Sequence, residues 1–459
     1  MNAIEAAKIL ENQKKFFESG ATRTVQSRKT ALKKLRNAIE IFEDEIYAAL
    51  QKDLGKSKSE SYMCEIGLVK SEISYMLRHV KAFAKEKRVH TPIAHFYSHS
   101  FEKPSPYGNV LIMSPWNYPF LLTVDPLVDA IAAGNTVVLK PSAYAPNTAS
   151  VLEKMIKSAF PPEYITVING GREENQCLLE LNFDYIFFTG GKTVGKEVMR
   201  HAAEKLIPIT LELGGKSPCI VDETANIKLA AKRIVFGKFI TCGQTCVAPD
   251  YIYCHESVKE KLISALKEEI KKQYGENPIE NENYGKIINE KHFLRLVSLI
   301  DKNKTAFGGD TDKNRLKIAP TIIDNANWED AVMGEEIFGP LLPILTYSSI
   351  NEAALVIRTK PSPLALYIFS SDKKNINFIT ESISFGGGCI NDTLIHLATS
   401  EMGFGGVGES GMGSYHGRYG FETFTHRKSI VDKKTFLDLP LRYQPYCKYK
   451  DTLIKMFVK

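Results

Sequence analysis

The stretch NVLIMSPWNYPFLLTVDPLVDAIAAGNTVVLK, residues 109–140, indicates the fold of this chain. The apolar run NVLIM is followed by a longer apolar segment that stops at Gly134, and a second β-branched run, TVVLK, comes directly after it. Continuous short apolar runs are typical of strands buried on both faces, and the segment between them has the length of a helix. Strand, helix and strand in this order predict a parallel sheet covered by helices, which binds ligands at the carboxyl ends of its strands.

The same alternation continues on the carboxyl side of this stretch. The runs YITVIN, DYIFFTG and IPITLEL read as further strands, and NTASVLEKMIKSAF has the apolar spacing of a helix with Asn147 as its N-cap. A second alternating region extends from about 217 to 395, whereas the first eighty residues have helical spacing. We therefore expect an α/β protein built from more than one sheet.

The bulk composition restricts the class of protein. The chain has 459 residues, too many for one ordinary core, and its 44% hydrophobic and 24% charged residues are typical of globular domains. The net charge of +6 is spread along the chain, so nucleic acid is not expected as a partner. No apolar run reaches the roughly 18 residues of a membrane-spanning helix, and the N-terminus lacks the pattern of a signal peptide. Together with eight scattered cysteines, these features predict a cytoplasmic protein with free thiols.

Two segments and the tail differ from the rest of the chain. Residues 87–106 and 420–445 are polar, aromatic and strand-like. Strands that leave the main body commonly pair elsewhere, so we expect these segments to bridge to a partner subunit. The basic, aromatic tail 446–459 is expected to be solvated or packed on a partner, and peripheral membrane contact is the alternative.

The stretch FGKFITCGQTCVAPDY, residues 236–251, contains two cysteines, Cys242 and Cys246. A zinc site would need further Cys or His ligands at fixed spacing, and none is near in the sequence. The spacing also differs from the C-x-x-C of redox motifs, and a disulfide is not expected in a reducing compartment. A nucleophilic thiol remains, although an inert buried cysteine is the common alternative for either residue alone.

Three further features could carry chemistry. Glu212, in LELGGKSP, ends a strand among apolar residues, where partial desolvation would raise its pKa toward that of a general base. Asn117, in SPWNYPF, follows a strand and could direct its amide at a developing oxyanion. The turn at Gly190 and Gly191 enters a helix and could bind a phosphate, although it lacks the G-x-G-x-x-G spacing. An ion pair, a turn asparagine and a plain turn are the respective alternatives.

Six motifs in one order change the balance between these alternatives. WNYPF, KPS, LELGGKSP, CGQTCVAPDY, EEIFGP and FGGVGESGMGSYHG resemble the successive motifs of the aldehyde dehydrogenase superfamily, and the resemblance covers essentially the whole chain. The forms SGMGSYHG and CVAPDY are most similar to the class 3 branch, which acts on fatty and aromatic aldehydes. The resemblance implies oxidation of an aldehyde to the carboxylic acid through a cysteine thiohemiacetal and thioester.

The resemblance also assigns roles to individual residues. It makes Cys246 the nucleophile, Glu212 the general base and Asn117 the oxyanion donor, with Cys242 packed nearby and no metal required. The histidines at 396, 416 and 426 are then structural. The implied cofactor-binding residues are Lys140, Ser142, Gly190, Gly191, Val194, Gly195, Leu213, Glu336 and Phe338, and the implied substrate-pocket residues are Tyr118, Phe236 and Ile240.

The fold implied by the resemblance has three parts. They are a Rossmann-like parallel-sheet cofactor domain (1–86 and 107–211), an α/β catalytic domain that carries the thiol (212–400), and a small β oligomerisation flap (87–106 and 420–445). A homodimer is expected by analogy with the class 3 branch.

The cofactor and two rival functions stay open at this stage. Some family members have a glutamate where this chain has Ala143, and its loss removes a charge that would repel a 2′-phosphate, so both NAD and NADP are expected. Lys192 could also favour the extra phosphate. The rivals are an enzyme that transfers the acyl group to coenzyme A, which generally lacks the base, and a catalytically silent homologue used for binding.

Overall fold

A computed structural model of the chain describes residues 3–458, in which helices surround two main sheets. In chain order the helices are α1 (Ala3–Glu18), α2 (Val25–Ile41), α3 (Glu43–Leu54), α4 (Lys58–Ser61), α5 (Gly67–Phe83), α6 (Leu121–Ala133), α7 (Pro146–Ala159), α8 (Arg172–Leu179), α9 (Lys192–Lys205), α10 (Ile227–Phe239), α11 (Lys259–Tyr274), α12 (Glu290–Val297), α13 (Ala331–Gly334), α14 (Ile350–Arg358), α15 (Lys373–Ser382), α16 (Gly417–Thr423) and α17 (Lys448–Phe457). A π-helical turn, Tyr62–Ile66, joins α4 to α5. Within residues 3–458, no helix has both the length and the apolar character needed to cross a membrane.

The strands form two large sheets and two small ones. In chain order they are β1 (Lys87–Val89), β2 (Ser98–Pro106), β3 (Asn109–Met113), β4 (Thr136–Lys140), β5 (Ile165–Val167), β6 (Tyr185–Gly190), β7 (Ile209–Leu213), β8 (Pro218–Val221), β9 (Tyr251–His255), β10 (Thr305–Phe307), β11 (Thr311–Asp312), β12 (Lys317–Ile318), β13 (Thr321–Ile323), β14 (Leu341–Tyr347), β15 (Ala365–Phe369), β16 (Gly387–Ile390), β17 (Gly411–Met412) and β18 (Thr425–Lys433).

The first large sheet has the strand order β17–β7–β6–β3–β4–β5. All neighbouring pairs are parallel except β17 with β7. The chain runs outward from β3 through β4 and β5, and then returns to place β6 on the other side of β3. Such a reversal of strand order opens a crevice outside the carboxyl ends of the two strands, where ligands of doubly wound sheets bind.

The strand–helix–strand unit predicted for residues 109–140 is confirmed. Every residue of β3, α6 and β4 is buried, which is why the sequence there is apolar without alternation. Gly134 ends α6 with a left-handed φ of 99°, as a residue without a Cβ does readily.

The second large sheet has the order β10–β13–β14–β9–β8–β15–β16 and is parallel from β13 to β16. Only four residues connect β7 of the first sheet to β8 of the second. The predicted α/β class is therefore confirmed. The boundary predicted at 211/212 falls inside β7, and β17 adds to the first sheet from far along the chain.

The two strand-like segments pair with each other in a separate three-stranded sheet of order β1–β2–β18. β18 pairs with β2 over nine residues, from Thr425 with Pro106 to Lys433 with Ser98. The predicted flap segment 420–445 also includes the end of α16, which packs against α6. The division into domains and the bridging role of this sheet stay predictions.

The prediction that Asn147 caps α7 is wrong. The helix begins at Pro146, one residue before Asn147, so Ala145 occupies the N-cap position. The fixed φ of Pro146 suits the first helical position. The free backbone amides are satisfied from a distant segment: Asn147 N and Thr148 N donate to the two carboxylate oxygens of Asp53 at 3.2 and 2.8 Å. Asp53 belongs to α3 and is buried, so a tertiary contact replaces the local cap.

Replacing Asp53 by alanine should lower the free energy of unfolding by about 2 kcal/mol, because two backbone amides at the start of α7 lose their acceptor. Urea denaturation followed by far-UV circular dichroism measures the change. Asp44→Ala is the control, because the Asp44 side chain is 93% exposed and its loss should change the stability by less than about 0.5 kcal/mol. Equal stability of the two variants would contradict the capping role.

Candidate active site

Two thiols lie in the loop that follows α10, and their surroundings differ. Cys242 is fully buried, and burial together with the charge of Glu60 raises the pKa of its thiol. Within residues 237–250, Cys246 is the single residue that is not fully buried. Of the two cysteines, Cys246 is therefore the one whose residue is partly accessible.

The backbone of this loop is held in an unusual conformation. Thr241 and Cys242 both adopt left-handed φ angles, 51° and 53°, which residues other than glycine rarely adopt. The carboxylate of Glu60 accepts hydrogen bonds from Thr241 N at 3.0 Å and from Thr241 Oγ1 at 2.8 Å. Contacts from outside the loop thus compensate for the backbone strain.

Burial and two nearby carboxylates raise the pKa of the Cys246 thiol to about 12. The carboxylates are those of Glu336 and Glu212, which places both close to the sulfur. The backbone N–H groups of Cys246 and Val247 interact with the sulfur in the opposite sense and lower its pKa. A thiol in this setting needs a proton acceptor before it can act as a nucleophile.

Glu212 is a buried carboxyl group on β7, with only 3% of its surface exposed. Neither of its carboxylate oxygens has a hydrogen-bond partner among residues 3–458. Burial raises its pKa well above the ordinary value. A carboxyl group whose pKa is raised in this way binds a proton more readily than an exposed one, which suits a general base.

Asn117 lies in the loop after β3 and is almost fully buried. Its backbone carbonyl accepts a hydrogen bond from Lys56 Nζ at 2.9 Å, and none of the hydrogen bonds within the described chain occupies its side-chain amide. The next residue connects this loop to the thiol loop, because Tyr118 Oη lies 2.6 Å from Thr245 Oγ1. Tyr118, which follows Asn117, is thus in direct contact with Thr245, which precedes Cys246.

Glu336 and Phe338 lie in the loop before β14. Burial, with the charge of Asp250 as a smaller contribution, raises the pKa of Glu336 to about 8, and its Oε1 has no partner in the described part of the chain. A Cβ on Gly214 would lie 2.0 Å from Glu336 Oε2, so only glycine permits this approach. Phe338 has a left-handed φ of 52°, and its ring meets that of Trp116 edge-on at 5.3 Å.

The turn between β6 and α9 has open space and unfilled donors. No side chain caps α9 at Gly191, and a Cβ there would meet nothing within 4 Å. At Gly195 a Cβ would lie 2.7 Å from Leu213 Cδ2, so this glycine lets α9 pack closely on β7. Val194 is 41% exposed at the start of the helix. Free amides at a helix N-terminus beside an exposed apolar side chain fit a dinucleotide phosphate and its base.

Lys140 and Ser142 follow the same edge of the sheet, at the end of β4. Lys140 Nζ donates to the carbonyl oxygens of Pro141 and Gly170 at 2.8 and 2.7 Å. Burial lowers the pKa of this amine to about 8. Ser142 Oγ accepts from Tyr144 N at 3.3 Å. The lysine is anchored at the crevice edge, where a ribose hydroxyl could replace one carbonyl contact.

The implied pocket residues differ in how they reach the thiol. Tyr118 is 8% exposed and lies against the thiol loop through Thr245. Ile240 directly follows α10 and is buried, whereas Phe236 is half-buried on α10 and packs on the same apolar cluster as Cys246. All three therefore lie beside the thiol loop or on the helix that leads into it.

Sequence reasoning assigned no role to two residues beside this site. Lys238 is fully buried with no partner for its Nζ among the described residues, and burial lowers its pKa to about 8. Tyr415 is also buried, and its pKa is raised by burial and by the charges of Asp125 and Glu212. Both residues stand in quoted motifs, FGKFITCG and SGMGSYHG, but their spacing gave no sign of what they face.

A separate buried group could hold a metal ion in principle. Within residues 3–458, the ligand atoms of Glu72, Asp125 and His416 lie within 4.8 Å of one another. Burial lowers the pKa of His416 to about 4 and raises that of Asp125, so both shifts favour the neutral forms. Neutral groups can share hydrogen bonds without a cation, and the expectation of no metal stays a prediction.

The comparisons with known proteins agree with this geometry. Residues 1–430 match the model of the aldehyde dehydrogenase family. The chain is 50% identical over 461 residues to 4,4'-diaponeurosporen-aldehyde dehydrogenase of Staphylococcus aureus, with 100% of both chains covered. It is 42% identical over 461 residues to aldehyde dehydrogenase family 3 member H1 of Arabidopsis thaliana, covering 99% of this chain and 95% of that one.

A solved structure shows the same architecture. The substrate-bound state of Staphylococcus aureus AldH has a TM-score of 0.97 and 50% identity, with 100% of both chains covered. The resemblance inferred from the six motifs is thereby confirmed. The chain belongs to the aldehyde dehydrogenase family, and it is an NAD(P)-dependent enzyme that oxidises aldehydes to carboxylic acids.

Proposed function

We propose that Cys246 is the nucleophile of this enzyme, that Asn117 binds the oxyanion and that Glu212 is the general base. One observation carries the proposal: the accessible thiol of the loop lies beside the partner-free carboxyl group of Glu212 and is tied to the Asn117 loop by the 2.6 Å contact of Tyr118 with Thr245. A donor, a base and a nucleophile in one place are what acyl chemistry at an aldehyde carbon requires.

The first step forms a carbon–sulfur bond. The thiol proton passes to Glu212, either directly or through water, and the sulfur attacks the aldehyde carbon. The carbonyl oxygen becomes an oxyanion that accepts hydrogen bonds from the Asn117 amide and the Cys246 backbone N–H. Removing one such donor typically slows the reaction ~10²–10³-fold.

The second step converts the thiohemiacetal into a thioester, and the third releases the acid. The nicotinamide cofactor, when bound, supplies the acceptor for the hydride that leaves the former aldehyde carbon. Glu212 releases to solvent the proton that it took from the thiol, and its carboxylate then takes a proton from the water that attacks the thioester. Cys246 leaves as the thiolate and regains a proton from Glu212, which restores both groups for the next turnover. Asn117 serves the second oxyanion in the same way as the first.

The crevice is compatible with either NAD or NADP as the bound cofactor. Gly190, Gly191, Val194 and Gly195 would cradle the phosphates and base, and Glu336, whose Oε1 has no partner among the described residues, would accept from the nicotinamide ribose. Lys140, Ser142, Leu213 and Phe338 complete the proposed cofactor set. Lys192 already pairs with Glu409 at 2.9 Å, so a 2′-phosphate would compete for it with a carboxylate.

The substrate we propose is an apolar aldehyde, aliphatic or aromatic. The half-buried Phe236 and buried Ile240 border the thiol loop, and charged aldehydes would lose hydration there without a compensating partner. Similarity to a relative named for 4,4'-diaponeurosporen-aldehyde supports the same class.

We further propose a cytoplasmic homodimer that pairs through the three-stranded sheet. Neighbouring residues of a strand face opposite sides, and both Ile430 and Val431 of β18 are exposed, at 36% and 54%. A sheet with apolar side chains exposed on both faces is typical of an interaction surface.

Cys246→Ser should abolish formation of reduced nicotinamide from octanal or benzaldehyde, because a serine hydroxyl is a far weaker nucleophile there. Cys242→Ser is the matched control and should keep most activity, since the Cys242 thiol is fully buried. Absorbance at 340 nm with NAD and with NADP measures both variants and the cofactor preference. Activity that survives in Cys246→Ser would show that Cys246 is not the nucleophile. Acyl transfer only to added coenzyme A would favour the rival function, a coenzyme A-acylating enzyme.

Glu212→Gln should slow steady-state turnover at least ~100-fold and should also suppress the rapid burst of reduced nicotinamide that the wild type gives, because both thiol activation and thioester hydrolysis lose their base. In the wild type the base acts deprotonated and its pKa is raised by burial, so kcat should increase as the pH rises from 6 to 9. Stopped-flow absorbance measures the burst. Glu223→Gln, at an exposed glutamate, should match the wild type. A pH-independent wild-type kcat would contradict the role of Glu212.

Val431→Glu should convert the dimer to a monomer, because it places a charge in the proposed apolar contact. Sedimentation velocity at micromolar concentration measures the oligomeric state. Leu355→Glu, at a similarly exposed apolar residue on α14, should leave the oligomeric state unchanged. Sedimentation of the wild type as a monomer would contradict the proposed interface.

A further inference from the structure

The residues Lys56–Ile66, here called the clamp segment, run between α3 and α5 through α4 and the π-helical turn. π-helical turns are rare and occur often at functional sites, since the extra residue rotates side chains out of the α-helical register. Three charged residues of the clamp segment, Lys56, Glu60 and Glu65, turn toward the proposed active site.

Lys56 and Glu65 form an ion pair whose side chains are 0% exposed, with Lys56 Nζ 2.5 Å from Glu65 Oε1. The same Nζ donates to the backbone carbonyl of Asn117 at 2.9 Å and lies 3.9 Å from the centre of the Tyr118 ring. Two consecutive residues of the Asn117 loop are therefore held by one ammonium group.

The other half of the pair holds the far end of the same loop. Glu65 Oε2 accepts from Phe120 N at 2.9 Å and from Leu121 N at 3.1 Å. These are amides at the start of α6, which has no capping side chain of its own. The carboxylate of Glu65 therefore replaces the missing cap, and the loop 117–121 is fastened at both ends.

The loop is also aligned with the thiol. Tyr118 Oη lies 3.1 Å from Thr241 Oγ1 and 2.6 Å from Thr245 Oγ1. Glu60 of the clamp segment binds Thr241 through its backbone and side chain. The clamp segment therefore touches both loops of the site, and Tyr118 bridges them.

A buried ion pair costs desolvation and is often replaceable by apolar residues without loss of stability, so its presence calls for a reason other than stability. Among the described residues, every side-chain hydrogen bond that Lys56 and Glu65 make beyond each other goes to residues 117–121. We infer that Lys56 and Glu65 are positioning residues that set the direction of the Asn117 amide relative to the Cys246 thiol. The inference rests on the proposed function of Asn117 as oxyanion donor.

A double-mutant cycle tests the inference, because residues that act through each other have non-additive effects. Lys56→Met should lower kcat for benzaldehyde at least ~10-fold in the wild-type background with little change in KM, and less than ~3-fold in Asn117→Ala. Lys70→Met is the matched control. It removes a lysine of the neighbouring α5 that pairs with Glu43, and it should leave kcat within ~2-fold of the wild type.

Lys56→Met leaves the charge of Glu65 buried and unpaired, so a second variant protects the test from failure to fold. The double variant Lys56→Met/Glu65→Gln is neutral and keeps an acceptor for the amides of residues 120 and 121, but loses the donor to Asn117. It should show the same loss of kcat and the same dependence on Asn117, with a melting temperature near that of the wild type.

Hydrogen–deuterium exchange of the peptide covering residues 114–123 gives a readout that needs no turnover. In Lys56→Met or in the double variant its amides should exchange at least ~10-fold faster, and in Lys70→Met at the wild-type rate. Unchanged exchange, or equal loss of kcat with and without Asn117, would overturn the inference. If the variants exchange faster but the wild type oxidises no aldehyde, the Lys56–Glu65 pair still holds the loop, and the proposed function is the part that is contradicted.

Discussion

The short connection between the two large sheets is the constraint on which the site depends. Four residues, Gly214 to Ser217, take the chain from β7 to β8, so the carboxyl end of one sheet abuts the amino end of the other. Gly214 lets Glu336 approach the backbone, and Lys216 Nζ binds Asp250 Oδ2 at 2.5 Å and the carbonyl of Glu335 at 2.8 Å. The backbone oxygen of Ser217 accepts from Asp250 N at 2.8 Å. This junction brings Glu212, at the end of β7, to the loops of the second sheet.

Several titratable groups near this junction have a buried polar atom without a hydrogen-bond partner among the described residues. Glu212, Glu336 and Lys238 each have a buried polar atom that makes no hydrogen bond to residues 3–458. Burying such groups destabilises the folded protein, because charged forms lose hydration. The same burial raises the pKa values of Glu212 and Glu336 and lowers that of Lys238, and shifts of this kind are common where groups exchange protons. Stability is thus lowered at the positions to which the proposed chemistry assigns reactive groups.

Backbone strain is concentrated in the same region. Thr241, Cys242 and Phe338 all adopt left-handed φ angles close to 50°, a conformation that costs ~1–3 kcal/mol for each residue. The surrounding contacts offset this cost: Glu60 binds Thr241, and the Phe338 ring packs on Trp116. The thiol loop and the Glu336 loop therefore keep their shape because neighbouring segments hold them, and the intrinsic preferences of their own residues oppose it.

The sequence by itself determined the α/β class and the family. Burial on both faces leaves the continuous apolar runs of 109–140, and the spacing of six motifs is a one-dimensional signal that survives without coordinates. Residue types alone did not indicate which of Cys242 and Cys246 is the nucleophile, and only the family resemblance favoured Cys246. The tertiary structure decided which of the two residues is partly accessible. Only the tertiary structure showed that Asp53 caps α7 and that Lys56 and Glu65 hold the Asn117 loop. The physical reason is that periodicity records which faces of a segment are buried, whereas a buried polar group finds its partner through packing of segments far apart in the chain.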